Sequence, residues 1–526
     1  MPKAGPRNTP IRATTAVVWT SPATLPGSGI RRSTVCNGHL IMTARLGNVR
    51  PGRHSHNAYR TATDPSLRWW TADRLAERDV VSSVATKAPS PTTGRPIGLR
   101  LRIVAAVVVV MLVDGSIIGL REFQHGRLGL LVAVLVFGLL GIWCRGVLPA
   151  LRLRTVAVIC AVVQLPGLLS RPLLSDDSYR YVWDGRVQLA GVDPYRYSPI
   201  SPMLAPLRDP LLFPPGHGSG VVNTVINRPW AHTIYPPIAE LWFTVLAAVT
   251  PWWAGTLGLQ IASALAVVAT TVLIGRVLIR TGSHPGWALA YGACPATTIE
   301  AANGAHVDVL AALLLVIMAW SVITNRHWLA GVMLGLAGGV KLVPMLLVPI
   351  FLRRQPVRTA ATSVATLLTG YLPHILAVGS LVLGYLPGYL NEEGFDGRRR
   401  FALLIFLPEP ARLPVALAIA VALAVVAILR SRRDLVLVTC CWLYGAAFLV
   451  ATPTYPWYLL PAMVLVVMAR RFEWLMLWPA AYFGFLHDRE PVLQTIGYGI
   501  ALIVMLGTGW RRRVRTTPDA GGSADR

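Results

Sequence analysis

Charged residues are scarce in this sequence. Asp, Glu, Lys and Arg make up 14% of its 526 residues, whereas an ordinary soluble domain carries about 25%. Hydrophobic residues account for 54%, and the mean hydropathy is +0.53. So little charge, in a chain with repeated apolar runs, argues against a soluble globular protein. It predicts an all-α polytopic integral membrane protein.

Acidic residues are especially few, since 24 Asp and Glu stand against 49 Lys and Arg and give a formal net charge of +25. A strongly basic protein often binds nucleic acid. Here, however, the basic residues cluster at the ends of apolar runs and in the N-terminal segment, which is typical of membrane topology. The charge pattern therefore predicts contact with membrane lipid and no nucleic-acid partner.

The sequence also lacks motifs that would define other chemistries. Its six cysteines have neither the spacing of a metal site nor that of a disulfide framework. It contains no G-x-x-x-x-G-K-S/T phosphate loop and no dinucleotide fingerprint, which disfavours a nucleotide-driven pump and a soluble nucleotide-sugar enzyme. No cofactor is evident, and whether the adjacent Asp176 and Asp177 bind a divalent metal is left open.

Residues 1–98 differ in kind from the rest. They are rich in Arg, Pro, Thr, Ser and Gly and lack a sustained apolar period, so they cannot bury enough surface to offset chain entropy. They also lack the apolar core of a secretory signal peptide. We predict a disordered, basic cytoplasmic tail; an extension upstream of a misassigned start codon would have the same composition.

Residues 99–510 carry apolar segments that predict a transmembrane domain, followed by a cytoplasmic tail at 511–526. A helix needs about 20 apolar residues to span a bilayer, and fewer where its neighbours shield it. This criterion predicts about 13 transmembrane helices. The candidate segments are 103–120, 128–144, 155–170, 236–251, 256–276, 286–299, 304–323, 328–352, 360–388, 412–430, 434–451, 456–469, 473–487 and 492–510.

Clusters of basic residues orient these segments. They lie at 100–102, 145–154, 353–358, 430–433, 470–471 and 511–515. This pattern places both termini in the cytoplasm and the polar loop 171–235 on the extracytoplasmic side. Arg276 and Arg280 contradict a simple alternation, so the topology between residues 251 and 327 is left open. Within it, the region 286–323 could form two spans or one broken or re-entrant segment.

The loop 171–235 is the only large polar segment between the predicted spans. Its many prolines exclude one continuous helix. Residues 176–190 contain no proline, however, and their apolar residues recur at helical spacing. We predict a short helix there, lying in the membrane interface.

Asp176 and Asp177 begin this predicted helix, and two interpretations of them are open. Carboxylates at a helix N-terminus are stabilised by the helix dipole, so they could serve only as a cap. Alternatively, a carboxylate at the outer membrane edge could be the general base that takes a proton from an acceptor hydroxyl. On the second interpretation, both are candidate catalytic residues.

Glu300, His306 and Asp308 lie within an apolar stretch. Titratable groups at membrane depth are costly and are functional candidates by default. We expect them to bind sugar or phosphate, or else to form a buried polar cluster that stabilises the bundle. A zinc site is disfavoured, because no third ligand lies at a suitable spacing.

Lys341 lies between two glycines and Pro344, deep within the apolar segment 328–352. It could contact a phosphate group or form an ion pair within the membrane. The basic run Arg398, Arg399 and Arg400 could likewise contact phosphate, or be a solvated charge cluster.

Four stretches of the sequence resemble one known family. SDDSYRYVWDGRVQLAGVDPYRYSP at 175–199 and INRPWAHTIYPP at 226–237 resemble glycosyltransferase family 87 of the GT-C superfamily. That family includes the polyprenol-phosphate-mannose-dependent α-mannosyltransferases of actinobacterial cell envelopes. EAANGAHVDVLA at 300–311 and GLAGGVKLVP at 335–344 continue the resemblance, which extends in segment order over residues 100–510.

The resemblance implies a GT-C-type helix bundle with its active site on the extracytoplasmic side of the cell membrane. It implies that the general base is Asp177 or Asp176. The residues expected to bind the substrates are Tyr179, Arg180, Asp184, Arg186, His306, Asp308 and Lys341. One departure is that the polar loop follows the third predicted span, whereas in many GT-C enzymes the catalytic loop follows the first.

On this basis we expect a mannosyltransferase that moves mannose from polyprenyl phosphate to an envelope glycolipid or lipoglycan, with inversion at the anomeric carbon. The implied partners are a polyprenyl-phosphate sugar donor, a glycolipid or lipoglycan acceptor and membrane lipid. The alternative is a transporter or flippase for lipid-linked sugars, in which the intramembrane charges would line a pathway. No paired half-sequences support that alternative.

Overall fold

The computed structural model describes residues 96–119, 123–215, 222–353, 356–395, 400–486 and 490–516. Residues 1–95 of the predicted N-terminal tail, residues 517–526 of the C-terminal tail, and Arg398 and Arg399 lie outside these ranges. The described part of the chain forms helices and no strand. The predicted all-α architecture is therefore confirmed for that part.

We number the α-helices of the described chain in sequence order. They are α1 Pro96–Gly119, α2 Phe123–Cys144, α3 Leu153–Gln164, α4 Asp177–Leu189, α5 Pro237–Val249, α6 Leu257–Arg280, α7 Leu289–Gly292, α8 Asp308–Ile323, α9 His327–Val340, α10 Val357–Val378, α11 Leu386–Glu392, α12 Glu409–Arg430, α13 Val436–Ala451, α14 Leu460–Met468, α15 Leu477–Phe485 and α16 Pro491–Thr516.

Shorter helices of other types join several of them. A π-helix spans Thr297–Asn303. Turns of 3-10 helix lie at Leu148–Ala150, Leu165–Leu168, Pro202–Leu207, Trp252–Ala254, Pro285–Ala288, Val343–Phe351, Gly379–Leu383, Ala402–Leu404, Arg433–Leu435, Pro456–Leu459 and Phe472–Met476.

Several helices have the length and composition of membrane spans. Five helical stretches in the described chain pass that test: Gly98–Gly119, Leu257–Arg280, Val357–Glu392, Glu409–Arg430 and Pro491–Arg512. The bent pair Thr297–Asn303 and Asp308–Ile323 would make a sixth. Shorter apolar helices of 10–17 residues accompany them. This architecture fits a multi-pass membrane protein, while the number of about 13 spans stays a prediction.

The chain breaks sharply before α8. The π-helix Thr297–Asn303 and α8 meet at an angle of 110°. Ala305, at the break, has a φ of 54°, a left-handed conformation that residues with a side chain rarely adopt. Of the two alternatives for the region 286–323, the bend agrees with a broken segment. The break leaves His306 outside regular helix and places Asp308 at the first residue of α8.

A second break corrects one sequence-based expectation. The segment 328–352 does not form one helix, because α9 ends at Val340 and Lys341 is extended, with φ −155° and ψ 134°. Pro344 explains the break, since it lacks the N–H that would bond to the carbonyl of Val340. Lys341 therefore lies at a helix end and not inside a continuous helix.

The loop 171–235 contains the short helix predicted at 176–190, which is α4, while its position in the membrane interface stays a prediction. Tyr181 and Trp183 are buried on it, and Tyr181 stacks on Phe243 of α5 with ring centroids 4.3 Å apart. Gly185 allows the two helices to approach closely, because a Cβ there would lie 2.4 Å from the carbonyl oxygen of Phe243. This packing fixes the N-terminus of α4, where Asp177 lies.

Candidate active site

Asp177 is the first residue of α4, and its carboxylate is held from two directions. The Asn227 side-chain amide donates to Oδ1 at 2.6 Å, and Nδ1 of His306 lies 3.7 Å from Oδ2. Its side chain is 18% exposed, so an atom of a bound substrate can reach it. These contacts bring together three segments that are distant in the sequence.

Asp176 differs from its neighbour. It occupies the N-cap position of α4, yet its side chain makes no capping hydrogen bond, and the residue is exposed. The capping interpretation is therefore not supported for its carboxylate. Among the two candidate bases, Asp177 is the one with fixed orientation, although the catalytic role of either residue stays a prediction.

The pKa of the Asp177 carboxyl is raised above its ordinary value, chiefly because the group is buried. The hydrogen bond from Asn227 and the positive charges of Lys341 and Arg228 act in the opposite direction, while the charge of Asp308 adds to the rise. A carboxylate whose proton affinity exceeds that of a free one is better suited to accept a proton from a hydroxyl.

His306 lies between Asp177 and Glu300. Its Nε2 is 3.6 Å from Oε2 of Glu300, and its ring stacks on Trp457 with centroids 3.9 Å apart and planes 8° apart. Both His306 and Glu300 are fully buried. Gly304 makes room for the ring, because a Cβ there would lie 2.8 Å from its Cδ2.

Lys341 and Asp308 form an ion pair. The ammonium lies 2.8 Å from Oδ1 and 2.9 Å from Oδ2 of Asp308 and 3.5 Å from the centre of the Tyr458 ring. The ion-pair interpretation of Lys341 is thus found in the structure. Because the lysine side chain remains 23% exposed while Asp308 is 1% exposed, contact of Lys341 with a phosphate stays a prediction that the geometry allows.

Arg228 is a second cation whose charge acts on Asp177, and it was not among the predicted site residues. Its Nε donates to Glu392 at 2.6 Å, and its guanidinium lies 5.8 Å from the centre of the Tyr389 ring. It also has a positive φ of 42°. The available signal was its place beside Asn227 in the INRPW stretch that carries the resemblance.

Three predicted residues of α4 are engaged with the protein itself. Arg180 donates through Nε to both oxygens of Asp184 at 2.9 Å and through Nη1 to the carbonyl of Ala231 at 3.1 Å. Arg186 forms an ion pair with Asp209 and donates to the carbonyl of Trp252 at 2.9 Å. Contacts of these residues with substrate stay predictions.

Tyr179 and Arg400 are the remaining site candidates within the described residues. Tyr179 is partly buried near Asp177 on the first turn of α4. Arg400 is buried and pairs with Glu393, so it is not a solvated charge. Within the described ranges, no three His, Cys, Asp or Glu side chains are grouped so as to hold a metal ion.

Residues 99–354 match the model of a family described as "Alpha-(1->6)-mannopyranosyltransferase, N-terminal domain", a stretch that includes Asp177, Asn227, His306 and Lys341. No solved structure matches the chain.

One curated relative is the "Polyprenol-phosphate-mannose-dependent alpha-(1-2)-phosphatidylinositol pentamannoside mannosyltransferase" of Mycobacterium tuberculosis (strain CDC 1551 / Oshkosh). It is 26% identical over 295 residues, which is 52% of this chain and 64% of the relative. The chain therefore covers less than two thirds of that relative's length. The resemblance stated from the sequence motifs is confirmed.

Proposed function

We propose, from the match of residues 99–354 to the model of that mannopyranosyltransferase family, that this chain is a membrane mannosyltransferase whose donor is polyprenyl-phosphate mannose. The observation that carries the proposal is the Asp177 carboxylate, which is half-buried, oriented by Asn227 and subject to the positive charges of Lys341 and Arg228. A base beside two cations is what transfer from a phosphate-linked sugar requires.

Asp177 acts as the general base in this proposal. It takes the proton of an acceptor hydroxyl, and the oxygen forms a bond to the anomeric carbon on the face opposite the phosphate. The bond between the anomeric carbon and the phosphate oxygen breaks, its electron pair leaves with polyprenyl phosphate, and configuration inverts in one step. General-base assistance of this kind contributes about 10²–10⁴ in rate.

Lys341 and Arg228 receive the negative charge that develops on the leaving phosphate. Each is held by one carboxylate, Asp308 or Glu392, while its side chain remains partly exposed. A fixed cation in a site shielded from water stabilises developing charge more than a mobile one in solvent. Arg180 and Arg186 instead hold the loop, because their hydrogen bonds go to Asp184, Asp209 and main-chain carbonyls.

The acceptor proposed is a mannose-bearing glycolipid or lipoglycan that meets the donor at the extracytoplasmic membrane surface. The relative named above acts, by its description, on a phosphatidylinositol mannoside. The basic clusters support the outward orientation of the loop 171–235, because cytoplasmic ends of spans are enriched in Arg and Lys.

The test uses membranes containing the wild-type chain, Asp177→Asn or Asp176→Asn, each supplied with radiolabelled polyprenyl-phosphate mannose. We expect labelled glycolipid from the wild type and from Asp176→Asn, and little from Asp177→Asn. No transfer of mannose by the wild type from polyprenyl-phosphate mannose would refute the proposal. Label that crosses the bilayer on an unchanged carrier would indicate a flippase. An engineered cysteine in the loop, treated with an impermeant reagent, reports the side of the membrane.

A further inference from the structure

Four polar side chains form a row that begins in the bundle interior and ends at Asp177. The Tyr482 hydroxyl donates to Oε1 of Glu300, Oε2 of Glu300 lies 3.6 Å from Nε2 of His306, and Nδ1 of His306 lies 3.7 Å from Oδ2 of Asp177. Glu300 and Tyr482 are 182 residues apart in the sequence. The proposed transfer step uses only Asp177 from this row, so it does not explain why Tyr482, Glu300 and His306 lie in line within an apolar bundle.

The middle of the row contains buried atoms that lack hydrogen bonds. Oε2 of Glu300 and both ring nitrogens of His306 have no hydrogen-bond partner within the described residues, although each faces another member of the row at under 4 Å. Buried polar atoms without partners are rare and call for an explanation. Catalytic hydrogen bonds often shorten only when substrate binds, so the spacing suits a row that closes in the complex.

Counting buried charges selects one arrangement of protons. An ionised Glu300 would add a second negative charge to that of Asp177 within an apolar bundle, and Lys341 is already paired with Asp308. Burying an unpaired charge is far more costly than burying a neutral acid. A single charge is less costly on Asp177, which is 18% exposed, than on the fully buried Glu300, and this arrangement leaves Glu300 protonated and His306 neutral.

We infer that Glu300 and His306 form a positioning pair for Asp177: the protonated Glu300 donates to Nε2 of His306, which leaves the proton of the imidazole on Nδ1, where it donates to Oδ2 of Asp177. With Tyr482 donating to Glu300 and Asn227 donating to Oδ1 of Asp177, every donor in the row is directed toward the same carboxylate. Once the row closes in the substrate complex, it holds Asp177 ionised and oriented toward the acceptor.

This inference rests on the proposed function, because it assigns His306 and Glu300 to the base of that reaction. Other groups also act on Asp177 and must be held constant in any test. Those with an electrostatic or hydrogen-bonding influence on it or on the row are Lys341, Arg228, Asp308, Asn227, Tyr181 and Tyr235.

Two substitutions of His306 separate positioning from packing. His306→Phe keeps an aromatic ring to stack on Trp457 but has no donor, whereas His306→Asn places an amide N–H near the position of Nδ1 and loses the stack. We expect the acid limb of the kcat/KM profile of His306→Phe to move up by about one pH unit, because one hydrogen bond to the charged form is lost. His306→Asn should keep the limb near its wild-type position.

If His306 only packed on Trp457, the acid limb of His306→Phe would lie close to that of the wild type. His306→Asn would then be impaired only in the yield of folded protein. An acid limb at the wild-type pH in folded, membrane-inserted His306→Phe would overturn the inference. The thermal stability of both variants in detergent shows whether each is folded.

The proton on Glu300 can be measured without any activity. The infrared carbonyl stretch of a buried carboxylic acid should be present in the wild type and reduced in Glu300→Gln. Asp114→Asn is the matched control, because it shows which part of the carbonyl band comes from another buried acid and not from Glu300. Identical carbonyl bands in the wild type and Glu300→Gln would overturn the inference even if transfer is observed. If the wild type transfers no mannose, the proposed function fails, while the infrared result still decides the protonation of Glu300.

Discussion

The side-chain amide of Asn227 donates to Oδ1 of Asp177 across 2.6 Å, although the two residues are 50 positions apart in the chain. The bond ties the end of the loop 171–235 to the first residue of α4. It fixes the direction of the Asp177 carboxylate. The neighbouring Asp176 side chain, by contrast, makes no capping hydrogen bond.

Asn227→Ala should lower kcat/KM for mannose transfer by about tenfold to a hundredfold, because a hydrogen bond to a charged group contributes about 1.5–3 kcal/mol. Asn223→Ala is the matched control, since Asn223 donates to the carbonyl of Pro214 within the same loop and away from Asp177. Initial rates with radiolabelled donor measure the effect. Equal rates for the two variants would contradict a role of Asn227 in orienting the base.

The activity should depend on the protonation of Asp177. Its folded-state pKa lies above the ordinary carboxyl value of 3.8, and the base works only when ionised. Activity is therefore complete above that pKa and is lost as the pH falls through it. Because the folded chain binds this proton more tightly than the unfolded chain does, the same protonation favours folding. A pH–rate profile should thus lose activity at a pH where thermal melts show the protein still folded.

Lys341→Met should be strongly destabilising, because it leaves the carboxylate of Asp308 buried without its cation; breaking a buried pair costs about 3–5 kcal/mol. The double variant Lys341→Met/Asp308→Asn should recover most of the stability but not the affinity for the donor. Thermal unfolding in detergent and the KM for polyprenyl-phosphate mannose measure the two effects separately. A double variant with wild-type KM would remove Lys341 from the phosphate site.

Arg228→Gln should raise the KM for the donor by about tenfold, as expected for the loss of one partly exposed phosphate contact. Its ion-pair partner provides the control. Glu392→Gln removes the carboxylate that Arg228 binds but keeps the guanidinium, so it should affect the KM much less. The opposite order would show that the ion pair, and not the cation, supports activity.

Gly185→Ala should destabilise the docking of α4 on α5, because the new Cβ would lie 2.4 Å from the carbonyl oxygen of Phe243. Overpacking of this kind costs about 1–3 kcal/mol. Gly138→Ala is the matched control, since no atom lies within 4 Å of a Cβ at that helical position. Melting temperatures of the two variants, and their transfer rates, test whether this packing also holds Asp177 in place.

Part of this fold was accessible from the sequence because it depends on local composition. Apolar runs predicted the helices, and the proline-free run 176–190 predicted α4 at Asp177–Leu189. Basic residues that contradicted a simple alternation left the topology before residue 327 open, and the 110° bend near His306 agrees with a broken segment, one of the two alternatives for that region. The end of α9 at Val340 was not predicted, although Pro344 supplied a signal for it.

The sequence by itself determined what kind of molecule this is, because the bilayer favours apolar helices that satisfy their own backbone hydrogen bonds and makes each buried charge conspicuous. Only the tertiary structure decided which charges meet. Asp177 approaches His306, Lys341 pairs with Asp308, and Tyr482 bonds to Glu300 across 182 residues. Such pairings follow from how the helices pack and bend. No local pattern encodes them, because the partners lie on different helices whose relative positions depend on the whole bundle.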